Sequence, residues 1–100
     1  MESKKEYFTI RMVSEMTKIH PQTLRYYEKA GLLKPERGKG GMRLYKREDI
    51  ETVIKIKTLT QDMGVNLAGV EVIFKLTEQL EALRVENRAL LHQEEKKDEI

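Results

Sequence analysis

The side chains with most to offer chemically crowd between His20 and Lys46. Gln22, Thr23, Arg25 and Tyr26 place an amide, a hydroxyl, a guanidinium and a phenol close together, and Arg37, Lys39, Arg43, Tyr45 and Lys46 follow around Gly38, Gly40 and Gly41. An arginine can fork to O6 and N7 of guanine or to a phosphate, and a glutamine can pair with adenine. Tyrosine hydroxyls and lysine ammonium groups suit phosphate oxygens. The set therefore fits a double-stranded nucleic acid. His20, next to Pro21, reads either as a further contact or, preferably, as a helix cap. Leu24 and Tyr27 read as core, and Glu28 as the partner of a basic neighbour.

Other chemistries find little support. The chain has no cysteine, so it has no disulfide framework and no thiolate metal site. Its two histidines stand 72 positions apart and no acidic pair clusters in a cleft-like context, so no catalytic constellation, metal or cofactor is expected. A lysine within Gly38–Gly41 looks superficially like a phosphate loop, but the spacing is not G-x-x-x-x-G-K-[ST] and no buried strand precedes it. No stretch reaches the length of a membrane span, Met1–Tyr7 is too charged for a secretory segment, and no small-molecule pocket is evident. A cytoplasmic, nucleoid-associated protein is the resulting expectation.

Charge is distributed unevenly along the 100 residues. Residues 1–65 carry 14 Lys/Arg against 9 Asp/Glu, residues 66–100 carry 5 against 8, and residues 25–47 alone are +6. A basic head and an acidic tail suit a polyanion partner for the head, although a solvated surface would show the same bias.

The elements that must position these side chains can be read from caps and periodicity. After a short β-prone run at residues 7–10, Thr9 can cap a helix through about Thr17, with Ile10, Val13 and Met16/Thr17 on one face. His20-Pro21 starts a second helix that stops at Gly31. Two short helices joined by a tight turn have the dimensions of a helix-turn-helix. Leu32–Arg37 and Met42–Tyr45 around the glycines read as a β-hairpin, a wing, with Leu44 facing inward and Arg43 and Tyr45 outward. Lys46–Met63 reads as a core-facing helix ended by Gly64, and Asn66 can cap a last helix that meets no Gly or Pro after Gly69, a rod of roughly 45 Å. The expected fold is mostly α. Residues 1–70 form a winged helix-turn-helix domain, 71–95 a coiled-coil dimerisation helix and 96–100 a charged tail.

The rod carries a seam. Ile73, Leu76, Leu80, Leu83, Asn87 and Leu90 alternate at spacings of three and four, a heptad with 73, 80 and 87 at a and 76, 83 and 90 at d. The helix could instead fold back on its own domain, but the short elements of the head leave little surface to cover it. A homodimer is expected. Asn87 at an a position favours a parallel pair. An antiparallel pair centred between Leu80 and Leu83 compromises only the Leu76–Asn87 layer. It also sends the two heads to opposite ends, as an inverted repeat in DNA demands.

Taken in order, Thr9-Ile10, Pro21-Gln22-Thr23-Leu24-Arg25-Tyr26-Tyr27-Glu28, Gly31-Leu32, Arg43-Leu44-Tyr45 and Asp49-Ile50 resemble the mercury-resistance-regulator (MerR) family of bacterial transcription factors. His20–Arg25 and Gly64-Val65-Asn66-Leu67-Ala68-Gly69-Val70 are similar to its heat-shock repressor branch, HspR, and the glycine-valine-asparagine run also to its nitrogen-regulator branch. The resemblance implies a second helix in the major groove, carrying Gln22, Thr23, Arg25 and Tyr26. It implies a wing along the backbone, carrying Arg37, Lys39, Arg43 and Tyr45, and an antiparallel homodimer. It further implies a repressor of chaperone genes on an inverted repeat, with the chaperone DnaK as co-repressor. Three departures stand out. There is no cysteine or ligand domain of the kind sensing relatives carry. Lys46 stands where relatives commonly have a capping serine, and would instead reach a phosphate. The tail Glu94–Ile100 is mostly charged. The alternatives are a nitrogen-type (GlnR-like) regulator and an architectural DNA-binding protein.

Overall fold

The computed structural model describes residues 6–98. In order they form α1 (Ile10–Thr17), α2 (Pro21–Lys29), β1 (Glu36–Arg37), a 3-10 turn (Lys39–Gly41), β2 (Arg43–Leu44), α3 (Arg47–Lys57), a π-helical turn (Thr58–Asp62) and α4 (Leu67–Asp98). The chain divides into two compact units, one ending at Asn66 and one starting at Leu67. Residues 67–70, assigned to the head from sequence, are the first turn of the long helix. Of the expected charged tail, Glu99 and Ile100 lie outside the described residues.

Each short helix is delimited by its own side chains. Thr9 Oγ1 accepts from the Met12 amide at 3.2 Å and starts α1. Lys18, in the left-handed region at φ 62°, ends it, with its amide bonded to the Ser14 carbonyl. A non-glycine residue held there costs of order 1 kcal/mol, which the turn into α2 requires. His20 Nδ1 then accepts from the Gln22 amide at 3.1 Å, and Pro21 sits in the first turn of α2 where no donor is needed. Past Ala30 the Leu32 amide reaches the Tyr27 carbonyl and the Gly31 amide the Glu28 carbonyl, both at 3.0 Å. This paired closure turns on Gly31 at φ +82°, which a side chain would strain.

The core of the first unit gathers Val13, Ile19, Leu24, Tyr27, Leu33, Tyr45, Ile50, Val53 and Ile56, with Thr17 buried among them. Thr17 is satisfied locally, donating to the Val13 carbonyl at 2.7 Å. The hairpin is antiparallel, pairing Glu36 with Leu44 and Arg37 with Arg43. At Gly38 an added Cβ would lie 2.8 Å from Leu44 Cδ1, so glycine lets the hairpin close over that leucine.

Two local expectations need revision. The third helix is not a single α-helix to Met63. It widens after Lys57 into a π turn closed by the Met63 amide on the Thr58 carbonyl, and the Val65 amide then caps Leu59. Thr60 donates its hydroxyl to the Ile56 carbonyl at the same place, competing with the regular ladder. Tyr45, expected to face outward with Arg43, is instead turned inward, while Arg43 and Leu44 are both half-buried. Arg43 and Tyr45 do share a side, as the alternation requires, but that side packs toward the helices. Tyr45 is fully buried, with its backbone paired to Phe8 in an antiparallel bridge at 2.8 Å in both directions.

The second unit is one helix of 32 residues, about 48 Å long. Along it Leu76, Leu80, Leu83 and Leu90 are each more than half exposed, Ile73 is half-buried and Asn87 is exposed.

Candidate nucleic-acid interface

The free face of α2 follows from which of its positions the core has taken. Leu24 and Tyr27 point inward, which leaves Gln22, Arg25, Tyr26 and Lys29 exposed and Thr23 half-buried. These five line one open depression. Within it Arg25 Nη1 donates to Gln22 Oε1 at 3.2 Å, so the two groups best suited to reading base edges hold each other in place. His20 is exposed, but its Nδ1 is committed to the cap. It is a cap first, as its place before proline suggests.

Wing residues are tied to the same helix. Glu28, on the last turn of α2, accepts from Arg37 Nη2 at 2.5 Å through one carboxylate oxygen and from Arg43 Nε at 2.6 Å through the other. Arg37 also reaches the Gly41 carbonyl at 3.4 Å. Lys39, at the tip, is exposed. Lys46 is half-buried at the start of α3, where its amide donates to Asp49 Oδ2 at 2.8 Å, the acidic half of a capping box whose other half the lysine ammonium, a donor only, does not provide.

Tyr45 does not belong to this surface. Its ring is fully buried and its hydroxyl finds no hydrogen-bond partner among the described residues, so it cannot reach a phosphate. Burial raises its pKa, as it does that of Tyr27, which is hydrogen-bonded to Thr60. On the open face of α2 the aromatic residue presented outward is Tyr26, 58% exposed.

Sequence reasoning left several residues unremarked. Lys29 stands four positions after Arg25, and helical spacing alone would have put it on the same face. Arg47 pairs with Glu6 at 2.9 Å and stacks over the Phe8 ring at 5.9 Å, a contact between distant positions that no local pattern signals. On α4, Val72 and Leu91 are more than half exposed and fall at helical angles beside the heptad positions. The heptad template excluded them by assuming a coiled-coil period. Among the described residues no group of His, Cys, Asp or Glu could hold a metal ion, and no helix is long and apolar enough to cross a membrane.

Two short helices joined through a left-handed lysine, an exposed polar face on the second, a basic hairpin tied to it and a long helix with an apolar strip define a winged helix-turn-helix protein. The chain belongs to the MerR helix-turn-helix family, whose model, "MerR HTH family regulatory protein", matches residues 8–77. The chain is 39% identical over 77 residues to a Streptomyces coelicolor protein named "Putative heat shock protein HspR", covering 77% of this chain and 51% of that one. It is 37% identical over 79 residues to the HTH-type transcriptional regulator GlnR of Bacillus anthracis, covering 78% and 60%. The chain thus spans between half and three-fifths of the length of these relatives. A MerR-family transcriptional regulator from Bacillus cereus superposes with a TM-score of 0.64 at 25% identity, over 91% of this chain and 72% of that one. HiNmlR, a MerR family regulator lacking the sensor domain and bound to promoter DNA, superposes with a TM-score of 0.66 at 23% identity, over 88% and 73%, a likeness of fold. The GlnR relative and the two superposed proteins are regulators.

Proposed function

We propose that the chain is a sequence-specific DNA-binding repressor of heat-shock and chaperone genes, similar in action to HspR, that binds an inverted repeat as an antiparallel homodimer. The observation that carries DNA binding is the open face of α2, where Gln22, Thr23, Arg25, Tyr26 and Lys29 stand together beside the basic wing. Arg25 and Gln22 read base edges in the major groove, while Lys39 and the wing arginines lie along phosphates. The exposed strip Ile73, Leu76, Leu80, Leu83, Asn87 and Leu90 is the dimer seam. The likeness to the Streptomyces coelicolor HspR supports the heat-shock assignment. DnaK is the proposed co-regulator, its diversion to unfolded clients releasing the operator.

The likeness to GlnR supports a second reading, a nitrogen-type regulator under the control of a metabolic enzyme. A pull-down from lysate, scored for DnaK against glutamine synthetase, separates the two. Recovery of glutamine synthetase without DnaK overturns the heat-shock reading. Footprinting on chromosomal DNA tests the repressor itself, which protects one short palindrome at a promoter. Uniform coating of many sites would make the protein architectural instead.

A further inference from the structure

The wing contains an arrangement that is unfavourable in isolation. Arg37 and Arg43 are direct cross-strand partners in a hairpin whose strands are two residues each. Like charges placed opposite one another destabilise an antiparallel pair. What reconciles them is Glu28, reaching across from α2 with one carboxylate oxygen on each guanidinium. The Glu28 side chain is 21% exposed, that of Arg43 28% and that of Arg37 45%, so the bridge is partly shielded from water. An anion held between two arginines is also what a DNA phosphate would be at this wing.

Resting on the proposed DNA-binding reading, we propose that Glu28 is a specificity-determining positioning residue. It occupies the anion site of the wing, fixes the hairpin against α2, and withholds Arg37 and Arg43 from phosphates wherever α2 has not found its sequence. On random duplex the two arginines stay with Glu28 and add little counterion release. On the cognate site the base contacts of α2 bring a phosphate against the wing at close range, and the exposed Arg37 turns outward to it. Discrimination between cognate and random DNA therefore depends on a carboxylate that touches neither.

The test compares the duplex that the wild-type protein enriches from a random library with poly(dI-dC), each titrated over a range of salt. Glu28→Gln keeps the shape and removes the charge. It should bind poly(dI-dC) more tightly, with a log–log salt slope steeper by up to about two per protomer, and lose about tenfold in the cognate-to-random ratio. Glu28→Asp, which keeps the charge, should retain most of the ratio. If Glu28→Gln fails to fold by circular dichroism, Arg37→Gln carries the test from the exposed end of the bridge. It should flatten the salt slope on the cognate duplex by about one per protomer and leave the slope on poly(dI-dC) unchanged. A ratio unaltered by Glu28→Gln, or equal flattening of both slopes by Arg37→Gln, overturns the role of Glu28 while DNA binding stands. A wild-type protein that enriches no sequence overturns the DNA-binding reading and this inference together.

Discussion

Arg25 spends one arm of its guanidinium on Gln22 and keeps the rest exposed. That bond must break or rotate when a base edge is met, and the neutral amide is a weak competitor for it. Replacing Arg25 with alanine should cost roughly 1–3 kcal/mol per half-site and relax preference at one base position in each half. Binding-site selection with the variant measures both, and unchanged affinity would remove α2 from the groove. Lys39 makes the contrasting case, since a tip lysine meets backbone. Lys39→Ala should weaken all sequences alike and reduce the salt slope by about one per protomer. Tyr45 behaves as a core residue with a hydroxyl it does not need. Tyr45→Phe should raise thermal stability by about 1 kcal/mol, because a buried hydroxyl without a partner is costly. A loss of stability would mean the hydroxyl has a partner when folded. The pH dependence has a definite sign. Burial holds Tyr27 and Tyr45 above the ordinary value of 10.0, so the folded chain keeps protons that the unfolded chain releases. Their contribution to stability is intact below pH 10 and falls as pH rises through the folded values.

At the level of elements, most of the head was readable because its boundaries are chemically local. Thr9, His20-Pro21 and Gly31 announce helix ends within three residues of the groups they satisfy, and the structure uses all of them in that way. Glu28 was likewise readable as a partner for basic neighbours, though not as the partner of two arginines at once. The side on which the hairpin buries its residues was not readable. Alternation groups Arg43 with Tyr45 but does not say which group faces the protein, and the deciding contacts, Phe8 with Tyr45 and Glu28 with Arg43, span 37 and 15 positions. The π turn was hidden for a related reason, since apolar spacing through Leu59 and Thr60 reads as ordinary helix. The cap at α2 gives a direct test. His20→Ala should cost about 1 kcal/mol of stability, and His20→Asn should restore most of it, because only the acceptor for the Gln22 amide is needed. Chemical denaturation of the three proteins measures the difference. If His20→Asn is folded and as stable as the parent yet binds the operator more weakly, the imidazole also contacts DNA.

For the whole molecule, the question is what a helix of 32 residues with an exposed leucine strip is for. Single apolar residues on a surface need no explanation, but Leu76, Leu80, Leu83 and Leu90 recur on one face, with Val72 and Leu91 extending it. In the proposed homodimer, burial against the second copy would gain roughly 1.5–3 kcal/mol for each leucine. Orientation then follows from weighing one polar residue against the geometry of the heads. A parallel pair sets Asn87 against Asn87, its favoured arrangement, but places both heads at one end. An antiparallel pair sets Leu80 against Leu83, Ile73 against Leu90 and Leu76 against Asn87, compromising one off-centre layer where the amide can tilt to water. It carries the two α2 faces to opposite ends, so that both can enter one face of a duplex at an inverted repeat. Leu80→Asp or Leu83→Asp should therefore abolish dimerisation and operator binding together, as sedimentation and gel shift would show. Cysteine cross-linking reads the direction, since the chain has no cysteine of its own. Leu76→Cys mixed with Asn87→Cys should give a disulfide-linked heterodimer, and Asn87→Cys alone should cross-link poorly. A ready disulfide between two Asn87→Cys copies, with no mixed product from Leu76→Cys, would mean that the coil runs parallel and that the asparagine outweighs the placement of the heads.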